Sequence, residues 1–89
     1  MVHARTWQVE IFISEHDDAT RAQARLTTPD DTVTPGRGRA RRNPHDVNVP
    51  EIGDELAVAR ALADLSHQLL DDAVQDIEAV THRPSHLSH

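Results

Sequence analysis

The chain has 89 residues, nine of them basic and fifteen acidic, giving a net charge of -6. All nine basic residues are arginine, and there is no lysine, cysteine or tyrosine. The lack of cysteine excludes a disulfide scaffold, a thiolate zinc site and a cysteine nucleophile, while an apolar content of 37% still allows a folded core.

The length suits one domain spanning residues 1–89, with order expected over about 5–82 and a flexible tail at 83–89. So short a chain buries only about 60% of its unfolded surface, so association with a partner is expected to add stability. The opening Met1-Val2-His3-Ala4-Arg5 has no signal-peptide core, and no apolar run approaches the ~20 residues of a membrane span. A soluble, cytoplasmic protein is expected.

Taken in chain order, the first half has period two. From Thr6 to Ser14, Trp7, Val9, Ile11 and Ile13 alternate with Gln8, Glu10, Phe12 and Ser14, the pattern of a half-buried strand. Glu15-His16-Asp17-Asp18 reads as the connecting loop. A second strand is predicted from Thr20 to Thr28, with Ala22, Ala24 and Leu26 facing one way and Arg21, Gln23 and Arg25 the other. Pro29-Asp30-Asp31 makes a turn. The third strand, Thr32 to Arg41, alternates Gly36, Gly38 and Ala40 with Arg37, Arg39 and Arg41. Pro35 cannot donate to a ladder, which puts the start of this strand on an edge or at a bulge.

Asn43-Pro44-His45-Asp46 reads as a turn and Val47 to Val49 as extended lead-in. The period then becomes helical. Pro50-Glu51 suits a first turn, although Asp54 could cap a later start. Ile52, Leu56, Ala59, Ala63, Ser66, Leu70, Ala73, Ile77 and Val80 form one apolar row, and Val58, Leu62, Leu65 and Leu69 form a second. The run from 51 to 81 is long, so a break near Asp71-Asp72 is expected, and His82-Arg83-Pro84 ends it.

These elements predict an α+β protein, a three-stranded antiparallel sheet followed by a long C-terminal helix. The helix is expected on the face holding Trp7, Val9, Ile11, Ile13, Ala22, Ala24, Leu26, Gly36, Gly38 and Ala40. The second row, Val58, Leu62, Leu65 and Leu69, then needs its own partner. A symmetric homodimer is the simplest solution; otherwise residues 72–81 would fold back on it. The charge also divides. Residues 1–50 hold seven arginines and seven acids, whereas residues 51–89 hold two arginines and eight acids. Arg21, Arg25, Arg37, Arg39 and Arg41 share the outer sheet face with Gln23. Arginine forks bind phosphate bidentately, so this face has the footprint of a nucleic-acid binder, unless Glu10 and other acids neutralise it. With Phe12 the one aromatic there, structured RNA fits better than a single-strand platform.

No catalytic or metal constellation is apparent. His82 and His86 are separated by Pro84, and His3, His16, His45, His67 and His89 are scattered. Asp17-Asp18 and Asp30-Asp31 are turn acids outside any calcium-loop pattern. Asp64 and His67, one helical turn apart, could form an acid–base pair, but a surface hydrogen bond or no contact is the better reading. No phosphate loop or nucleophile elbow is present. The chain is read as no enzyme, with no cofactor and no small-molecule substrate.

One set of segments is more specific than its parts: Trp7-x-Val9-x-Ile11-x-Ile13-x-Glu15-His16, Gly36-x-Gly38-x-Ala40-Arg41, Asn43-Pro44-x-Asp46, Val49-Pro50-Glu51-Ile52-Gly53-Asp54-Glu55-Leu56-Ala57, Ala59-Arg60-Ala61-Leu62 and Asp76-Ile77-Glu78-Ala79-Val80-Thr81-His82. Over about residues 6 to 83 the chain closely resembles a small actinobacterial family of unknown function, found in mycobacteria and streptomycetes. Some members are linked to hypoxia and dormancy. The resemblance implies a double-stranded-RNA-binding-domain-like fold, an intertwined homodimer likened to ribosome hibernation promoting factors, and no catalytic residues. The chain departs from the family at Arg42, where an apolar residue is usual, and in the turn from Pro29 to Pro35. The expectation is therefore a dimeric stress or dormancy protein binding the ribosome or structured RNA through Arg21, Arg25, Arg37, Arg39, Arg41 and Arg42. The alternative is a protein-interaction module that meets a basic partner through the acidic helix, with Asp64, Asp71, Asp72 and Asp76.

Overall fold

The computed structural model describes residues 3–43 and 47–81. Three nine-residue strands, β1 (Gln8–His16), β2 (Ala19–Thr27) and β3 (Val33–Arg41), precede a single helix, α1 (Pro50–Thr81). The strands form an antiparallel sheet in the order β1-β2-β3, so the strand that contains Pro35 is an edge, as the sequence suggests. The hairpin between β1 and β2 is tighter than predicted. Both strands run further, leaving only Asp17 and Asp18 between them, and Asp17 takes a left-handed conformation at φ 55. An aspartate tolerates this conformation better than most residues. The β2–β3 turn closes with Thr28 N–H donating to Thr32 O (3.1 Å) and Asp31 N–H to Thr28 O (2.9 Å). Of the predicted turn Asn43-Pro44-His45-Asp46, residues 44–46 lie outside the described residues, as does the tail at 83–89.

The helix is continuous through Asp71 and Asp72, where a break was expected. It starts at Pro50, which needs no donor in the first turn, and Ile52 N–H donates to Val49 O (3.0 Å). Nothing in 51–81 removes an intrahelical hydrogen bond, because the run contains no further proline. At 32 residues it is about 48 Å long, against roughly 30 Å for the strands, so part of it extends past the sheet.

The core is built of small side chains. Ala22, Ala24, Leu26 and Ala40 of the sheet meet Ala57, Ala61 and Leu65 of the helix, all at most 5% exposed. Gly36 and Gly38 make this close approach possible. A Cβ on Gly38 would fall against the Ala57 carbonyl oxygen and the Ala61 nitrogen, and one on Gly36 against the Ala61 carbonyl oxygen. The helix therefore sits on β2 and β3, the strands with small residues. It does not cover the larger side chains of β1, which share the same face: Val9, Ile11 and Ile13 remain 43%, 42% and 46% exposed.

The buried helical face also differs from the predicted one. Ile52, Leu56 and Ile77 of the first row are exposed, and Ala57 and Ala61, which belonged to neither row, are fully buried. Leu65, assigned from sequence to a dimer interface, is 4% exposed and belongs to the chain's own core. Val58 and Leu69 pack partly against that core, whereas Leu62 stays 42% exposed.

The helix also closes the free edge of β3. Arg60, Asp64 and Gln68 recur every four residues and so lie along one side of the helix. Arg60 Nη1 donates to Arg39 O (2.7 Å), Arg37 N–H donates to Asp64 Oδ2 (2.8 Å), and Gln68 Nε2 donates to Pro35 O (2.7 Å). Gln68 also donates to Asp64 Oδ2 (3.2 Å). Three side chains thus occupy backbone groups that would otherwise offer a template for another strand.

Candidate nucleic-acid interface

The arginine face follows from the pairing register. Cross-strand partners lie on the same side of a sheet. The pairs Phe12–Gln23, Ser14–Arg21, Gln23–Arg37 and Arg21–Arg39 therefore build one surface, extended by Arg41 opposite Ala19 and by Arg25 opposite Glu10 and Pro35. Arg21, Arg25, Arg37, Arg39 and Arg41 are all exposed on it. Alternate residues of a strand are about 6.8 Å apart, so Arg37, Arg39 and Arg41 form a cationic row of roughly 14 Å. Phe12, Ser14, Arg21, Gln23, Arg37 and Arg39 line a shallow groove across the three strands.

Among the described residues, the acids nearest this face are engaged elsewhere or form no ion pair with its arginines. At the β1–β2 turn, ion pairs join Arg42 Nη2 to Asp18 Oδ1 (2.6 Å) and His16 Nε2 to Asp17 Oδ2 (3.5 Å). Neither involves the five arginines of the face. Glu10 stands opposite Arg25 in the register, but the Arg25 guanidinium turns elsewhere: Nε donates to Gln23 Oε1 (2.7 Å), and Cζ lies 4.6 Å from the centroid of the Phe12 ring.

Arg42 is not on this surface. One residue past Arg41, it points to the opposite side of the sheet and pairs with Asp18, and its backbone N–H donates to Asp18 O (2.8 Å). The structure thus brings five of the six predicted arginines together and uses the sixth to fasten the end of β3 to the β1–β2 turn. Asp64 is likewise occupied, by the Arg37 amide and Gln68. Sequence reasoning missed the Phe12–Arg25 stack, which a diagonal contact between neighbouring strands creates. It also missed the helix row at Arg60, Asp64 and Gln68, for which the four-residue spacing was the available signal.

Among the described residues no group of three or more His, Asp or Glu side chains is placed to hold a metal ion, and no helix is long and apolar enough to cross a membrane. Asp30 sits in the turn between β2 and β3. The Thr28 hydroxyl, and then the Thr32 N–H (3.1 Å), donate to its carboxylate and lower its pKa below the usual value of 3.8. These contacts hold the β2–β3 turn and have no part in a reactive site.

Sheet, helix and basic face together define a small α+β sheet-and-helix protein with one arginine-rich surface. The chain belongs to the Rv2632c-like family, which it matches over residues 5–86. The uncharacterized protein Mb1767 of Mycobacterium bovis is 56% identical over 81 residues, covering 91% of this chain and 85% of that protein. The uncharacterized protein Rv2632c of Mycobacterium tuberculosis is 50% identical over 80 residues, covering 90% and 85%. The crystal structure of Rv2632c superposes with a TM-score of 0.84 at 48% identity, covering 93% of this chain and 98% of that one. This supports the expected kinship with mycobacterial proteins of unknown function.

Proposed function

We propose that this protein is a non-enzymatic homodimer that binds structured RNA, such as that of the ribosome, through the outer face of its sheet, in the stress or dormancy setting the family resemblance implies. The observation that carries the reading is the five exposed arginines on one surface, with no carboxylate partner among the described residues. An isolated surface charge says little, but a row of guanidiniums is what a phosphate backbone engages. The overall charge of -6 does not oppose this, because eight of the acids lie in residues 51–89, which supply the helix on the other side of the sheet.

The dimer has a separate physical basis. With Arg60, Asp64 and Gln68 turned toward the β3 edge, the 100° rotation per residue turns Leu62 and Leu69 toward β1. The helix flank and the half-exposed Val9, Ile11 and Ile13 then form an apolar notch, open along the free edge of β1. A second copy filling both notches about a two-fold axis would bury them. The alternative reading, an acidic helix meeting a basic protein, has lost Asp64 to the β3 edge; Asp71 also has a contact of its own, and Asp72 and Asp76 remain of its four acids.

Binding to a hairpin RNA over a salt series tests the RNA reading. The wild type is expected to show a steep fall in affinity with salt. Replacing Arg37, Arg39 and Arg41 together with alanine should reduce the slope of log K against log salt by about 2–3, since each phosphate contact contributes roughly 0.7–0.9. Equal slopes for the two proteins, or no binding by the wild type at low salt, would reject it. Ribosome co-sedimentation of the same pair applies the test to the larger target.

A further inference from the structure

The five arginines of the basic face are not equivalent. Arg21, Arg37, Arg39 and Arg41 are single guanidiniums on the surface. Arg25 is held in place: its Nε donates to Gln23 Oε1 at 2.7 Å, and its Cζ sits 4.6 Å from the Phe12 ring centroid. Phe12 itself is 46% exposed on a face that is otherwise largely polar, and it lines the groove shared by Arg21, Gln23, Arg37 and Arg39. Its neighbours along β1 and across to β2 on that face are Glu10, Ser14 and Gln23, so the half-exposed ring sits among polar and cationic groups. A guanidinium fixed over a ring supplies a second flat surface for π-stacking, and its plane is suited to bases as well as phosphates.

We propose that the Phe12–Arg25 stack is a platform for one unpaired nucleobase of the bound RNA, while Arg21, Arg37 and Arg39 hold the flanking phosphates. The proposal rests on the RNA reading above and adds to it a class of target: structured RNA with an unpaired nucleotide in a loop or bulge, as opposed to an uninterrupted duplex. One aromatic serves one base, in contrast to the run of rings that a sequence-tolerant single-strand groove uses. Gln23 lies directly between Phe12 and Arg37 in the register, and its amide is the group beside the platform able to donate to a base edge.

Two loop-free RNA duplexes of annealed strands test this, identical except that one carries a single bulged 2-aminopurine and the other is paired throughout. The wild type is expected to bind the bulged RNA more tightly and to change its 2-aminopurine fluorescence. Phe12→Leu should lose about 5- to 160-fold affinity for the bulged RNA, the range measured for removing one base–aromatic stack, with an unchanged salt slope. Arg25→Lys keeps the charge and removes the plane, so it should lose the preference for the bulge while still binding RNA. Phe12 is exposed, so its replacement leaves the core intact, and circular dichroism checks that. Equal binding of both RNAs by the wild type, or an unaffected Phe12→Leu, overturns the platform and leaves phosphate binding standing. A wild type that binds neither RNA overturns both.

Discussion

The close approach of helix to sheet makes Gly38→Ala the sharpest test of the packing. The added Cβ would lie 2.8 Å from the Arg60 carbonyl carbon and closer still to the Ala57 oxygen and Ala61 nitrogen, whereas ordinary contact begins at 3.4 Å. All three atoms belong to the helix backbone, so no side chain can swing aside and the helix must rise by well over half an ångström. Overpacking of this kind costs about 1–3 kcal/mol. The rise also stretches the bonds from Arg60 to Arg39 O and from Arg37 N–H to Asp64, each with a net value of about 1 kcal/mol. Replacing glycine where φ is not positive returns about 0.5–1 kcal/mol through the unfolded chain. A net loss of about 2–4 kcal/mol is expected, a large part of the 5–15 kcal/mol typical of a domain. Urea unfolding followed by circular dichroism, at one fixed protein concentration, measures it. A loss below about 0.5 kcal/mol with an unchanged m-value would refute the account of a helix seated on a glycine backbone.

Four further outcomes follow. Ile11→Asp, at an exposed position of β1, should give a folded monomer in sedimentation velocity, whereas the proposed homodimer predicts a dimeric wild type; a dimer in both would refute the notch as interface. Asp64→Ala should cost about 1–2 kcal/mol in urea unfolding by stranding the Arg37 amide, and should raise aggregation by opening the β3 edge, as light scattering would report. Arg42→Ala should weaken RNA binding less than Arg39→Ala and cost under about 1 kcal/mol of stability, because its ion pair is partly exposed. For Asp30 the folded pKa lies below the unfolded one, so its contribution is present above the usual 3.8 and is lost as pH falls through the lower folded value; a carboxyl titration by NMR with a midpoint at or above 3.8 would contradict this.

The sheet was legible because alternation has a period of two and three strands carried it with different residues on each side. Gly36, Gly38 and Ala40 against Arg37, Arg39 and Arg41 gave both the strand and the face. The helix was less legible in its orientation. Two apolar rows flank Ala57 and Ala61, and a hydropathy pattern ranks leucine and isoleucine above alanine. Glycine on the opposing sheet reverses that ranking, since the backbone closes in where side chains are smallest. Leu65 was misassigned for this reason. The helix break at Asp71-Asp72 was inferred from typical helix lengths, which say nothing about a helix that continues past its sheet. Arg42 was grouped with its neighbours by charge, although parity along the strand already separates it from Arg41.

The choice of small residues on β2 and β3 has a consequence for both surfaces. A helix drawn in toward those two strands touches β1 only lightly, so the larger side chains of β1 stay nearly half exposed. Its approach occupies the β3 edge with Arg60, Asp64 and Gln68, so the open edge and the open apolar face fall on the same strand. The arginines, being the alternate residues of the same strands, necessarily point away from the helix. A second copy seated in the β1 notch therefore lies on the helix side of the sheet and leaves the basic face uncovered. It also places acidic helices together on the far side, which orients the assembly toward a polyanion with its arginines first. If Ile11→Asp monomers keep the salt slope of the wild type but lose overall RNA affinity, the two basic faces act together on one RNA. If affinity is unchanged, each face binds alone and dimerisation serves stability.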